Sequence, residues 1–428
     1  MVMGGHSRKA ARTQHLARIV PRWAIVALLL IPLIAGCAPA LEQAKPVTVH
    51  FAYPRSDTDT YTSLATEFKK SAPYITLDLR AIGGNERNQD PFNQFDPGDA
   101  DCFSNSNLSL DGLMADGKIR SLDPWIENDK TYNAPDFYPG TAALLSGDGK
   151  TWGVPAGIDP WVLFYNKDLF DKAGVACPAA GWTWEDFLQA AQKTTNPDTS
   201  IYGFVTRNIV DPALLIYQHG GSLVDNLDNP TRATFDNRKT VEAMEWWAAL
   251  MTDKKVAPNS QTIRSTFRQA EGGIYLGKVA MWFGQMSERG GLTWPQDLTW
   301  TFHGGMAPLP VNVQPATIAT AEGYFISAKT SAGDACWKWL SFLSHQPPAR
   351  LAPARKSVLQ ADAYTQLAGK EVANTARSVL PQAIMLKSLT TGPFQKIVGG
   401  PFQQAFDAIM GGKVTVQDAM NQAQAASQ

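Results

Sequence analysis

One unit near the start of the chain limits the fold more than any other feature. Val47, Val49 and Phe51 alternate with Thr48 and His50, the period-2 pattern of a half-buried strand. After turn residues at 54–59 come Tyr61, Leu64, Ala65 and Phe68, spaced as one face of an amphipathic helix. Ile75, Leu77 and Leu79 then alternate with Thr76, Asp78 and Arg80. Strand, helix and strand in that order predict an α/β fold, a parallel sheet covered by helices. Leu163-Phe164-Tyr165 reads as another strand, and Thr183 caps a helix that opens at Trp184 by accepting from the Asp186 backbone N–H. Cys336, Trp339, Leu340 and Leu343 make a helical stripe that Pro347-Pro348 terminates. Two last helices are expected around 402–410 and 416–425, parted by Gly411-Gly412.

Ahead of this unit stands an export signal. Arg8, Lys9, Arg12, Arg18 and Arg22 come with no acidic residue, and the apolar run 23–34 follows, ending at Ile34-Ala35-Gly36-Cys37. The run is well short of the roughly 20 residues a permanent membrane helix needs, and it contains Pro32. Small residues directly before Cys37 resemble the bacterial lipobox, which implies cleavage after residue 36 and lipid on Cys37. The alternative is an ordinary signal peptide followed by a free cysteine. Residues 37–45 would then be a linker, and the protein would sit at the cell envelope, held to the membrane by its N-terminal lipid. The 38 basic side chains less the leader's five leave 33 against 39 acidic ones, a formal charge of −6. That balance offers no basic stripe for nucleic acid. The 392 residues left of 428 exceed the size at which one core usually stops growing, so two lobes are expected.

Cys102, Cys177 and Cys336 allow at most one disulfide, and no Cys/His spacing points to a metal. Gly-x-x-x-x-Gly-Lys at 272–278 fails as a phosphate loop, because Val279 has no hydroxyl and no strand precedes the glycines. The run Asp225-Asn226-Leu227-Asp228-Asn229 lacks the alternating oxygens and closing Glu of a calcium loop and reads as a polar turn. No nucleophile elbow and no His-Glu-x-x-His pattern is present, so neither a cofactor nor catalytic machinery is expected.

Six segments, in order, carry a family resemblance: Trp152-Gly153-Val154-Pro155; residues 163–174 from Leu-Phe-Tyr-Asn-Lys-Asp to Lys-Ala-Gly; Thr183-Trp184-Glu185-Asp186-Phe187; Gly277-Lys278-Val279-Ala280-Met281; Glu322-Gly323-Tyr324-Phe325-Ile326-Ser327; and Pro353-Ala354-Arg355-Lys356-Ser357-Val358. Together they resemble the bacterial extracellular solute-binding proteins of carbohydrate-uptake ABC transporters, the maltose-binding-protein relatives. The resemblance implies a two-lobed α/β fold with a ligand cleft and three crossings between lobes, here near Gly157, Glu322 and Pro353. It places one lobe at 46–157 plus 323–353 and the other at 158–322 plus 354–428. It implies that a sugar or oligosaccharide is captured by lobe closure and passed to permease subunits of the importer, with no chemistry done on it.

Candidate ligand residues follow from the crossings and strand ends. Asp159 and Trp161 lie just past the first crossing, and Asp159 matches a carboxylate that contacts sugar in the family; the competing role is a cap or surface turn. Charged acceptors hold hydroxyls about twice as strongly as neutral ones. Glu322 and Tyr324 sit at the second crossing and Arg355 at the third, where its paired donors suit vicinal hydroxyls or a carboxylate. Trp282 and Gln285 close the strand after Val279, and an indole face suits a pyranose ring. Asn105 and Asn107 (with Ser106) follow a strand end at 101–103, where open parallel sheets place ligands. Asn208 aligns by spacing alone. Trp246, Trp247, Trp337 and Trp339 fall on helical stripes and are expected in the core. Two competitors stay open: a lipid-anchored glycoside hydrolase, which needs two suitably separated carboxylates, and the same fold with a non-sugar ligand such as glycerol phosphate or an osmolyte.

Overall fold

A computed structural model describes residues 45–82, 98–227, 229–292, 298–386, 394–412 and 414–428. The expected signal peptide and Cys37 lie outside the described residues. The opening unit folds as β1 (Val47–Pro54), α1 (Thr58–Ser71) and β2 (Ile75–Ile82). β1 and β2 pair in parallel with Val47 opposite Ile75, and α1 buries Tyr61 and Phe68 from its apolar stripe. β3 (Cys102–Ser106) lies parallel along the other side of β1.

Further along run β4 (Gly153–Asn166), α2 (Trp184–Thr194), β5 (Tyr202–Phe204), α3 (Val210–Gln218), α4 (Arg238–Thr252), β6 (Val279–Gln285) and β7 (Gly304–Ala307). β8 (Thr317–Ile326), α5 (Gly333–Ser344), α6 (Lys370–Val379), β9 (Ala383–Met385), α7 (Gly400–Met410) and α8 (Val416–Ala426) complete the main elements. Thr183 starts α2 with a full capping box, its hydroxyl accepting from Asp186 N while the Asp186 carboxylate accepts from Thr183 N. Asp225 closes a polar turn by accepting from Thr231.

The sheet order is β2-β1-β3-β8-β4-β6-β5, with β7 also paired to β4 and β9 to β8. The long strands β4 and β8 run antiparallel through the middle and belong to both halves of the sheet. Residues 155–157, although Pro-Ala-Gly suits a turn, are part of continuous strand β4. Pro155 stands where the ladder shifts register between Glu322 and Gly323, so that Pro155 pairs and Ala156 is skipped. At this point a third segment joins: Ile158 and Ala352 exchange both backbone hydrogen bonds at 2.8 Å. Gly157 is needed there, because a Cβ would lie 2.6 Å from Leu351.

Around the sheet, Trp247 and Trp339 are fully buried and Trp337 is 6 % exposed, whereas Trp246 is half-buried. The Trp247 indole N–H donates to Thr206 Oγ1 at 2.9 Å, which satisfies its one polar atom in the core. Cys102 and Cys336 are buried thiols beside one another, and Cys177 is a third free thiol. Among the described residues no helix is long and apolar enough to cross a membrane.

Candidate functional site

The three segments that meet at Gly157, Glu322 and Leu351 wall a narrow cavity. The chain leaves the C-terminal end of β1, where parallel strands place ligands, and enters α1 with Asp57 and Tyr61 facing this cavity. β8 contributes Glu322 and Tyr324, and the stretch between α5 and the third crossing contributes Arg350. Tyr61 donates its hydroxyl hydrogen to the Tyr324 oxygen at 3.5 Å.

Burial dominates the electrostatics. Glu322 accepts only a long 3.4 Å bond from Ser104 Oγ, and its pKa is pushed up to about 8 by burial, then by the charges of Asp57 and Asp159. Asp57 is raised by burial too, partly offset by Ser56, Arg350 and Arg289. Asp159 is 7 % exposed and pushed up to about 7 by burial, against which Ser287 works by donating its N–H and its hydroxyl to the two carboxylate oxygens at 2.9 and 2.6 Å. Asp159 thus holds the turn after β6.

That turn is tied to the third crossing by two arginines. Arg289 donates to the carbonyls of Ala349 and Arg350, and to Met286 O at 3.3 Å. Arg350 donates back to Ser287 O at 2.7 Å, Arg289 O at 2.8 Å and Gly291 O at 3.4 Å. Each guanidinium satisfies backbone carbonyls of the other's segment.

Of the residues singled out in the sequence, Glu322 and Tyr324 line the cavity, and Asp159 acts on it through its charge. Asn107 is 5 % exposed and accepts from Ala321 N at 2.9 Å, pinning the end of β3 to the second crossing. Asn105 pairs opposite Gly323 and accepts from Ser106 N, while its buried Nδ2 has no hydrogen-bond partner among the described residues. Trp161 stands opposite Gln285, whose amide donates to Thr320 Oγ1 at 3.0 Å, and Trp161 packs half-buried on the core.

Three residues are placed otherwise than expected. Trp282 is 1 % exposed, stacked 5.9 Å from Phe164 with Trp300 in an edge contact at 5.2 Å, and it lines a small separate pocket with Arg207, Glu288 and Trp300, away from the cavity at the crossings. Asn208 is exposed and accepts from Val210 N at 2.9 Å, a cap for α3. Arg355 is 1 % exposed and donates to Tyr132 O at 2.8 Å and to Ser344 O and Oγ at 3.1 Å, with Phe137 4.1 Å from its guanidinium. Arg355 is a clamp inside the protein, and its donors are taken.

Sequence reasoning passed over Asp57, Tyr61, Arg289 and Arg350. The signal for Asp57 was available: it follows the first strand of a parallel unit. For Arg289 and Arg350 there was none, because their meeting depends on two loops far apart in the chain.

The sequence profile described as bacterial extracellular solute-binding protein matches residues 55–345. An arabinooligosaccharide-binding protein of Bacillus subtilis is 28% identical over 156 residues, 36% of this chain and 33% of that protein. An erythritol/L-threitol-binding protein of Mycolicibacterium smegmatis is 27% identical over 166 residues, 34% of each. The chain thus spans about a third of the length of these curated relatives. An ABC substrate-binding protein of Listeria monocytogenes, solved in complex with cycloalternan, superposes with a TM-score of 0.69 at 23% identity, covering 89% of this chain and 98% of that one. At that identity the likeness concerns the fold, which is a two-lobed α/β fold.

Proposed function

Because the chain belongs to the bacterial extracellular solute-binding proteins, we propose that it captures a small sugar or sugar alcohol between two lobes and hands it to the permease of an ABC importer. The observation that carries this reading is the meeting of the three segments at one narrow cavity walled by hydrogen-bonding carboxylates and phenols. The two curated relatives are named for an arabinooligosaccharide and for four-carbon polyols.

We place the lobes at 46–157 plus 323–353 and at 158–322 plus 354–428. The register shift at Glu322/Gly323 and the Ile158–Ala352 pairing support those boundaries. Ligand binding then acts by differential affinity: Asp57, Tyr61 and Arg350 come from the first lobe and Glu322 from the edge of the second, whose Ser287 turn accepts from Arg350, so contact with the ligand is complete only when the lobes are together. The export signal and the residues before Cys37 support anchoring by lipid at the outer face of the membrane.

A thermal-shift screen of the protein with monosaccharides, short oligosaccharides, polyols and glycerol phosphates tests the reading. A ligand at a hundred times its Kd stabilises the fold by about 2.7 kcal/mol. One sugar or polyol class raising Tm and recovered unchanged is the expected result. Three carboxylates near one cavity also favour asking about hydrolysis; sugar consumed during the screen would make the protein a hydrolase and overturn the proposal.

A further inference from the structure

The described residues hold three cysteines, and the fold decides which two can meet. Cys102 opens β3, opposite Phe51 of β1 and Ile326 of β8. Cys336 stands in the first turn of α5, the helix that packs on β1 and β8. Trp339, one turn further along α5, meets Phe51 edge-on at 5.7 Å. Both cysteine side chains are fully buried, and the Cys102 thiol donates to the Cys336 sulfur. Cys177 lies elsewhere, half-buried beside the Tyr165 hydroxyl at the far end of β4.

More than side-chain packing holds the first two together. Asp101, the neighbour of Cys102, accepts through its carboxylate from the Thr330 hydroxyl and through its carbonyl from Ser327 N at 2.9 Å. Thr330 Oγ1 accepts from Ala332 N at 2.9 Å, and Ala332 O accepts from Cys336 N at 2.9 Å. A run of hydrogen bonds thus leads from the residue before Cys102 to the amide of Cys336 and fixes how the helix sits over the strand.

We propose that Cys102 and Cys336 form a disulfide. In the cell this rests on export as proposed above, which supplies an oxidising compartment. One thiolate attacks a sulfur of a disulfide-bearing thiol oxidase of the envelope, and the second displaces that oxidase from the mixed disulfide. The Cys102–Cys336 bond forms, two electrons reduce the oxidase disulfide to its dithiol, and that dithiol takes up the two protons. Burial holds the Cys102 thiol protonated in the folded protein, so the exchange belongs to folding, before the core closes over the pair. Afterwards the same burial shields the bond from reductants. The bond joins the stretches 46–157 and 323–353 of the first lobe, as placed above. It spans none of the crossings, so it stiffens that lobe and leaves closure free.

The test is refolding of the full-length chain in detergent in a mixture of reduced and oxidised glutathione, followed by alkylation of free thiols and peptide mass mapping. A linked pair of peptides carrying Cys102 and Cys336 is expected, with Cys177 outside the link. Reductant should lower the melting temperature of the refolded protein by about 3 °C or more, the effect of an ordinary structural disulfide in a chain of this size. The double variant Cys102→Ala, Cys336→Ala should show no such response. Cys102 and Cys336 both recovered alkylated overturn the proposal, and so does an equal response of the double variant to reductant. Export is checked separately, by the N-terminus of the chain taken from the cell envelope. A chain that keeps residues 1–36 overturns the export reading, and the refolding result still decides the disulfide.

Discussion

Glu322 and Asp159 are acids in surroundings that disfavour charge, and this fixes how the ligand-free protein responds to pH. Glu322 is raised from an ordinary 4.5 to about 8 and Asp159 from 3.8 to about 7, burial being the main cause in both. A raised carboxyl means that the native state holds a proton which the unfolded chain has lost. Its contribution is therefore complete below the unfolded values and disappears as pH rises through 7 and 8. The denaturation midpoint of the ligand-free protein is expected to be higher at about pH 5 than above pH 8, and Glu322→Gln should flatten the slope. A midpoint that rises over this range would contradict the burial of these groups. Arg355 and Arg350, close together in the chain, show why a residue type alone does not assign a role. Arg355 is sealed between Tyr132, Phe137 and Ser344, whereas Arg350 reaches the cavity wall.

At the scale of elements, β4 and β8 set the site. They are the strands shared by both halves of the sheet, and their register shift puts Glu322 opposite Gly157, where Leu351 also arrives. A Cβ at 157 would meet Leu351 Cβ and Cδ1 at 2.6 Å and the Ala352 carbonyl at 3.2 Å. Gly157→Ala should therefore destabilise the protein by about 1–3 kcal/mol, the usual cost of overpacking, and weaken ligand binding by displacing the third crossing. Urea denaturation and titration of the same sample measure both. An unchanged midpoint would show that the crossings move apart at no cost. The elements themselves were legible where periodicity was clean: β1, α1, β2 and the capped start of α2 lie where the alternation and the Thr183 box put them. Of β4 only the end at Leu163–Tyr165 was, because Pro155-Ala156-Gly157 carries the signature of a turn and its pairing with β8 and with Ala352 holds that half extended.

At the scale of the whole molecule, the reciprocal arginines tie the turn after β6 to the third crossing. Bonds from a charged donor contribute about 1.5–3 kcal/mol each, and Arg350 makes three to backbone carbonyls of that turn. Arg350→Ala is expected to shift the ligand-free protein toward a more open form, with a larger radius of gyration by small-angle scattering. Ligand affinity should fall about tenfold or more, since binding must then restore closure. An unchanged radius would mean that the arginines follow closure without contributing to it. By itself the sequence determined the fold class and its family, because alternating strands, an amphipathic helix between them and six short segments in order are local patterns read without knowing which parts meet. It also determined that Trp247, Trp337 and Trp339 are packing, since their helical spacing puts them on apolar stripes. Only the tertiary structure decided which polar groups share the cavity. Asp57, Glu322 and Arg350 come from distant stretches, and whether a carboxylate or guanidinium is left open to a ligand depends on which carbonyls and hydroxyls reach it first.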